Sequence, residues 1–208
     1  MSINLHILKA SGRLDKFEAS IKKAFEAGIN DVQNKLTLPP LDVVVVDEAD
    51  MAIAETGVGG SAPNAHVLYI YINPDFANLE AVLELEIRST LAHELHHCAR
   101  WAAVGYGTTL LEAIVSEGLA DHFDTEVNGG SPKPWSIALS EDELQSTMLK
   151  AKESFNSDYN HSDWFYGSKE IPRWAGYSLG FKIVGDYITK TGKSASELVA
   201  TSHTEFIK

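Results

Sequence analysis

The chain of 208 residues is long enough to form one domain around a hydrophobic core, because 44% of its residues are hydrophobic. Its formal net charge of −12 argues against binding to nucleic acid, which needs clustered Lys and Arg side chains. The same charge disfavours binding to an anionic membrane surface.

The N-terminal part of the chain alternates between strand and helix patterns. Asn4–Ala10 has the pattern of a strand, and Gly12–Lys35 has the pattern of an amphipathic helix. The β-branched run Leu41–Asp47 is typical of a buried strand, and His66–Asn73 predicts another. Between these two strands, Glu55–Ala65 is rich in glycine but lacks the helix-opening G-x-G-x-x-G order of a phosphate-binding loop.

A long run without Pro or Gly, from Phe76 to Val104, predicts a single helix that contains an H-E-x-x-H string. Residues four apart lie on the same face of a helix, so His93 and His97 can both direct an imidazole at one cation. Glu94 stands beside that cation without ligating it. The simpler alternative is a pair of exposed or hydrogen-bonded histidines. An apolar stripe on the opposite side of the helix is formed by Leu83, Ile87, Leu91, Leu95, Cys98 and Ala102.

A second helix is predicted after Gly105 and Gly107, where Thr109 and Glu112 have the spacing of a capping box. That structural task leaves Glu117, twenty positions after His97, as the available carboxylate on this helix. Catalytic zinc takes three protein ligands and keeps one position open, and two His with one Glu is an established set. The two helices therefore predict a zinc site.

The segment after the second helix contains the only plausible linker, Asn128–Pro134. Ser140 and Glu143 are spaced as another capping box and predict a helix that ends near Phe155. The following stretch, 156–169, is polar, aromatic and irregular. The aromatic residues at 159–166 suggest a subsite for apolar or stacking groups, and the alternative is that they cover the core.

The C-terminal end of the chain predicts two further helices. Pro172 suits the first turn of a long helix that runs through Ile188. Ser194 and Glu197 are spaced to cap a short terminal helix. The predicted elements together indicate an α+β fold.

The two helices predicted to carry the zinc ligands are called the metal helices below. Their combined pattern resembles a known class of enzyme. H-E-x-x-H followed about twenty residues later by E-x-x-x-D, here Glu117 and Asp121, resembles the gluzincins, the thermolysin-like zinc metallopeptidases. More narrowly, H-E-x-H-H followed by V-S-E-G-L-A-D resembles the YjaZ-like family of predicted Zn-dependent proteases, over about residues 58–188. The resemblance implies one zincin-like α+β domain. Its small sheet and active-site helix occupy about 1–104, and a smaller helical part, about 105–208, closes the cleft.

The expected mechanism follows from the chemistry of the site. One Zn²⁺ held by His93, His97 and Glu117 lowers the pKa of a bound water and polarises a carbonyl group. Glu94 is then placed to act as the general base and afterwards as the acid. Asp121 is the candidate acceptor for the remaining N–H of His93, and the alternative is that Asp121 is an exposed helix acid.

The mechanism also needs a hydrogen-bond donor that stabilises the oxyanion formed during cleavage. In the gluzincins a His or a Tyr from the C-terminal part has this role. Residues 173–180 resemble the G-Y-x-x-G segment of the YjaZ-like family, so Tyr177 is the first candidate. Arg173 is expected one turn before Tyr177 on the same helical face, and His161 is the second candidate. The alternative for Tyr177 is an amphipathic core residue. Glycines 176 and 180 would let this helix approach another element closely.

Three further predictions concern the sheet edge and two side chains of the first metal helix. In zincins a sheet edge beside the cleft pairs with the extended substrate, and Gly57–Ala62 is the candidate edge, which Pro63 would end. A plain hairpin connection fits this segment equally well. His96 is expected on a polar flank of the metal helix. Trp101 fits either a cleft wall or the core.

The sequence favours a zinc metallopeptidase, an endopeptidase acting on peptides or proteins. Two alternatives remain: a catalytically weak gluzincin-like binding or regulatory module with a zinc site, and a metallohydrolase that cleaves a non-peptide amide. The single cysteine, Cys98, excludes an internal disulfide and is expected in the core. Met1–Lys9 lacks the pattern of a signal peptide and no apolar run reaches about twenty residues, so a soluble, cytoplasmic protein is expected. The oligomeric state is not predicted.

Overall fold

The computed structural model describes residues 2–208 and confirms the α+β class. The chain divides into two compact units, of which the first ends at Ala102 and the second is Ala103–Lys208. The first unit contains a sheet of four strands with flanking helices, and the second is helical over its described residues. No helix within 2–208 is long and apolar enough to cross a membrane.

The sheet of the first unit contains three parallel strands and one antiparallel strand at an edge. The strands are β1 (Ile3–Ile7), β2 (Leu41–Asp47), β3 (Val58–Asn64) and β4 (Val67–Ile72). Their order is β1-β2-β4-β3, with β1, β2 and β4 parallel and β3 antiparallel to β4. Burial alternates along β2, as expected for a strand with one face against the core.

The glycine-rich passage forms the edge strand β3, so it is a strand of the sheet and not a plain hairpin connection. Pairing with β4 is regular from Val58 to Ser61 and becomes irregular before Asn64. Pro63 lies inside this irregular stretch, so it disturbs the pairing without ending the strand. The indole N–H of Trp101 donates to the carbonyl of Ala62, at 3.0 Å, and ties the irregular end of β3 to the metal helix.

Two α-helices and two short 3-10 turns, Asp15–Phe17 and Ala49–Met51, complete the described part of the first unit. A 3-10 turn, Asp15–Phe17, leads into α1 (Glu18–Gln33), so the helix is shorter at its start than predicted. The metal helix is α2 (Leu79–Ala103). It begins three residues after Phe76 because Asn78 has φ 63, a left-handed conformation that is incompatible with a right-handed helix. The predicted stripe is buried at every position except Ala102, which is exposed and is therefore a wrong prediction.

The second unit contains four helices: α3 (Leu110–Asn128), α4 (Glu141–Ser154), α5 (His161–Phe165) and α6 (Ala175–Thr191). A 3-10 helix, His203–Ile207, follows them. Both predicted capping boxes are present, with Thr109 and Glu112 opening α3 and Ser140 and Glu143 opening α4. Helices α3 and α6 approach through glycine, as predicted, because a Cβ on Gly180 would lie 2.2 Å from the Ile114 carbonyl oxygen.

Three sequence predictions in the second unit are corrected. The stretch predicted to be irregular contains the short helix α5. Helix α6 begins at Ala175, so Pro172 precedes the helix instead of lying in its first turn, and Trp174 with φ 65 separates the two. Ser194 and Glu197 form the reciprocal hydrogen bonds of a capping box, but turns follow them in place of a helix.

Candidate metal centre

The two motif histidines lie together on α2, as their spacing predicts. Nε2 of His93 and Nε2 of His97 are 3.1 Å apart, and the rings meet edge-on at an interplanar angle of 81°. With Zn–N bonds of about 2.05 Å, two nitrogens of a tetrahedral zinc site lie about 3.3 Å apart. The separation of the two rings therefore fits a pair of ligands to one zinc ion.

Glu117 supplies the third candidate ligand. A carboxylate oxygen of Glu117 and a ring nitrogen from each of His93 and His97 all lie within 4.8 Å of one another. Glu117 and His97 are buried and His93 is partly buried. Two neutral imidazoles and one carboxylate are a donor set that zinc accepts at catalytic sites. The three side chains form a candidate His-His-Glu metal site.

Glu94 lies on α2 directly against the edge strand. Its side chain is buried, and a Cβ added at Gly60 would come within 2.7 Å of both its Cγ and its Oε1. The same Cβ would lie 2.6 Å from the Cγ2 methyl group of Thr90. Glycine in β3 is therefore what allows this carboxylate to lie beside the strand.

Cys98 is a core residue, as predicted. It is fully buried, and its Sγ lies 3.7 Å from the carbonyl oxygen of Asn64. Burial and the nearby charge of Glu94 raise the pKa of the thiol to about 12. A thiol held in its neutral form is a poor metal ligand and a poor nucleophile.

Asp121 is buried one turn after Glu117 on α3, so the alternative of an exposed helix acid is wrong. Its two oxygens accept hydrogen bonds from Nε1 of Trp135, at 3.2 Å, and from Oγ of Ser136, at 2.7 Å. These donors come from the segment between α3 and α4, which sequence reasoning did not connect with the site. They fix the orientation of the carboxylate. A contact of Asp121 with His93 remains a prediction.

Tyr106 is a site residue that the sequence analysis missed. Its hydroxyl donates a hydrogen bond of 2.5 Å to Oε1 of Glu117. Desolvation and the negative charge of Glu117 raise the pKa of Tyr106 well above its ordinary value. The phenol therefore stays protonated and acts as a donor. The only sequence signal was an aromatic hydroxyl between two glycines ahead of the metal-ligand helix, and such a signal is weak.

Tyr177 belongs to an aromatic cluster in the second unit. It is partly buried on α6, with ring centroids 5.0 Å from Phe165 and 6.5 Å from Trp135. Tyr159 is also part of this cluster, with its ring centroid 6.4 Å from Phe165. Burial, followed by the charge of Glu117, raises the pKa of Tyr159, so this phenol lies in the electric field of the proposed ligand. Tyr159 was not singled out from the sequence.

Other sequence candidates are placed differently from expectation. Arg173 is exposed and precedes α6, so it shares no helical face with Tyr177, and its guanidinium stacks 3.9 Å over Trp174. His161 is exposed, stacks on Phe165 and lies 3.5 Å from the Tyr159 hydroxyl. His96 is fully buried, and the prediction of a polar flank is wrong.

Comparison with known proteins decides the family. The model of the family described as "Predicted Zn-dependent protease (DUF2268)" matches residues 17–208. The chain belongs to this family. The uncharacterised protein YjaZ of Bacillus subtilis (strain 168) is 26% identical over 183 residues, which is 80% of this chain and 66% of that protein. The match thus spans just under two thirds of the length of YjaZ. No solved structure matches the chain.

Membership of the predicted Zn-dependent protease family agrees with the resemblance seen in the two metal helices. The matched range contains His93, His97 and Glu117, the three side chains of the candidate metal site. The family description names zinc, and the donor set of the candidate site is one that zinc accepts.

Proposed function

We propose that this protein is a zinc-dependent peptidase with a zincin-like fold and one Zn²⁺ held by His93, His97 and Glu117. The observation that carries the proposal is the grouping of one donor atom from each of these side chains within 4.8 Å. The family description supports the same chemistry. Peptides or proteins are the proposed substrates.

The residues present fit zinc in both chemistry and spacing. The two Nε2 atoms are 3.1 Å apart, close to the ligand separation of a tetrahedral site, and the third donor is a carboxylate oxygen. Three protein ligands leave one coordination position for water or substrate. Zinc held in this way would lower the pKa of a coordinated water towards neutrality and polarise the scissile carbonyl.

Glu94 is proposed as the general base. It follows a proposed ligand in sequence and is buried against Gly60. A carboxylate in this position takes a proton from the attacking water and passes it to the leaving amine. Proton transfer by a well-placed side chain contributes about 10²–10⁴-fold to a rate.

The edge strand β3 is the proposed docking strand for an extended peptide. It lies at the edge of the sheet, with β4 as its neighbour, and Gly60 places no side chain between this strand and Glu94. Since Glu94 touches this strand, a peptide added to its outer side would pass close to the proposed base. Tyr177 remains the proposed donor to the oxyanion, and Asp121 the proposed partner of His93. Arg173 and His161, both exposed, are proposed as substrate contacts.

The alternative function is a gluzincin-like binding or regulatory module that holds zinc without appreciable catalysis. The intact Glu94 argues for the enzyme, because a purely structural site needs no base beside the metal. A structural site also closes its fourth position with a protein ligand, whereas the candidate group found among residues 2–208 consists of three ligands.

The deciding experiment compares zinc content and cleavage of a mixed peptide library in the wild type and in Glu94→Gln. The proposal expects one zinc in both proteins and a loss of cleavage of at least about 100-fold in the variant. Glu80→Gln makes the same substitution on an exposed part of α2 and should leave cleavage unchanged. Zinc binding without cleavage in any of the three proteins would favour the binding module.

A further inference from the structure

Tyr106 contacts the proposed ligand Glu117 from outside the helix that carries it. The phenol lies in the segment before α3 and its hydroxyl donates to Oε1 of Glu117 at 2.5 Å. A hydrogen bond from a phenol to an ionised carboxylate is charge-assisted and stronger than one between neutral groups. This contact therefore helps to hold the carboxylate, in addition to its own side-chain torsions.

The segment that carries Tyr106 is fastened to the start of α3. Gly105 and Gly107, on either side of Tyr106, have φ 81 and φ 92, which glycine adopts readily. A Cβ on Gly107 would lie 2.3 Å from Cδ of Glu112, so the chain passes directly over the capping carboxylate. Glu112 accepts hydrogen bonds from the backbone N–H groups of Thr108 and Thr109.

One helix thus fixes both ends of the hydrogen bond. The capping box holds the Tyr106 segment at the first turn of α3, and Glu117 lies about two turns, or about 10 Å, further along the same helix. A tyrosine side chain can span much of that distance when it lies alongside the helix. The position of the hydroxyl relative to the carboxylate is then set by local structure.

We propose that Tyr106 is the positioning residue of the metal site, holding Oε1 of Glu117 so that this carboxylate would bind zinc through a single oxygen. The inference rests on the proposed function, since it assumes that Glu117 is a ligand. A glutamate that binds through one oxygen keeps zinc four-coordinate, with one position open. Without the phenol hydroxyl, Oε1 of Glu117 would lose this donor, and the orientation of the carboxylate would be less tightly fixed.

Zinc affinity measured by chelator competition tests this role directly, with Tyr106→Phe as the variant. Phe removes only the hydroxyl, and loss of a hydrogen bond to a ligand weakens metal binding by about 10–100-fold. Tyr187→Phe is the matched control, because it removes a phenol hydroxyl from α6 at a partly buried tyrosine that packs on Phe206. Its zinc affinity should equal that of the wild type.

The coordination number gives a second readout, which a merely structural role would not change. Co²⁺ replaces zinc in such sites, and its visible absorption weakens as the coordination number rises. Tyr106→Phe loaded with Co²⁺ should absorb less intensely than the wild type and Tyr187→Phe, because a carboxylate released from the phenol can bind through both oxygens.

The possible outcomes separate this inference from the proposed function. A wild type that binds no zinc overturns both. A wild type that binds zinc as tightly as Tyr106→Phe, within twofold, overturns only the role of Tyr106. Should Tyr106→Phe fail to fold, NMR of the wild type with isotope-labelled tyrosine answers the question. The Tyr106 hydroxyl resonance must then shift when zinc is added, and an unchanged resonance overturns the inference.

Discussion

The side chain of Glu94 lies against Gly60 so closely that a single methyl group on the glycine would meet both its Cγ and its Oε1 at 2.7 Å. The proposed base is on α2 and the glycine is in the edge strand β3. The contact therefore links the helix of the H-E-x-x-H string to the strand proposed to bind the substrate. Its consequence is that the position of Glu94 depends on the absence of a side chain at residue 60.

Gly60→Ala should lower peptide cleavage by about 10²-fold while zinc affinity stays within about threefold of the wild type. The added Cβ displaces the Glu94 carboxylate, and misplacing a catalytic group by about 1 Å can cost a factor of this size. Steady-state kinetics and chelator competition measure the two effects. Gly28→Ala, where the new Cβ would meet a methyl group of Leu91 at 3.0 Å, is the control and should keep its turnover. Equal losses in the two variants would contradict a specific role for Gly60.

Zinc should stabilise the folded protein, and the effect should require His97. A ligand that binds only the folded state at 100 times its dissociation constant adds about 2.7 kcal/mol to the free energy of unfolding. Chelation of the wild type should therefore lower its melting temperature by several degrees. His97→Ala should melt at the same temperature with and without the chelator. A zinc-dependent shift that persists in His97→Ala would show that the metal binds elsewhere.

Much of the candidate site follows from sequence spacing because its main constraints are local. The positions of His93 and His97 follow from helix periodicity, and the start of α3 follows from the capping box of Thr109 with Glu112. The glycine-rich segment was predicted as a candidate sheet edge, but a plain hairpin connection fitted equally well, because glycine has low strand propensity and the strand forms through its pairing with β4.

The features that the sequence did not predict depend on contacts between separate segments of the chain or on unusual backbone angles. Tyr106 reaches Glu117 across eleven positions, and the donors to Asp121 come from a later loop. Arg173 was misplaced because Trp174 adopts φ 65 and delays the start of α6, a conformation that Trp rarely adopts and that no pattern predicts.

Gly180→Ala should lower the free energy of unfolding by about 1–3 kcal/mol. The new Cβ would lie 2.2 Å from the carbonyl oxygen of Ile114, so α3 and α6 would have to separate. The gain in helix propensity, about 1 kcal/mol for Gly to Ala, offsets only part of this cost. Chemical denaturation measures the change. Gly185→Ala, also on α6, meets only the His122 ring at 3.1 Å and should cost less, and the reverse ranking would contradict the close approach at Gly180.

The capping box of α4 should make the effect of Ser140→Ala depend on pH. Hydrogen bonds from the side chain and the backbone N–H of Ser140 lower the pKa of Glu143 below its usual 4.5. A carboxyl group with a lowered folded-state pKa stabilises the protein above about pH 4.5, and that stability is lost as the pH falls through the folded-state pKa. Ser140→Ala should therefore lower the free energy of unfolding more near neutral pH than in acid.

Denaturation of the wild type and the variant at several pH values tests this dependence. Ser146→Ala, which removes a hydroxyl bonded to the carbonyl of Glu143 in the same helix, is the control and should show a cost independent of pH. A cost of Ser140→Ala that is the same at pH 7 and at pH 3 would contradict the role of the ionised Glu143.

The most direct test of the zinc site is a crystal structure of the zinc-loaded protein with anomalous data collected at the zinc absorption edge. The account predicts one anomalous peak, about 2.0–2.1 Å from Nε2 of His93 and of His97 and about 2.0–2.2 Å from a carboxylate oxygen of Glu117, with the fourth position open to water. A peak held by other side chains, or a fourth protein ligand that closes the site, would contradict it.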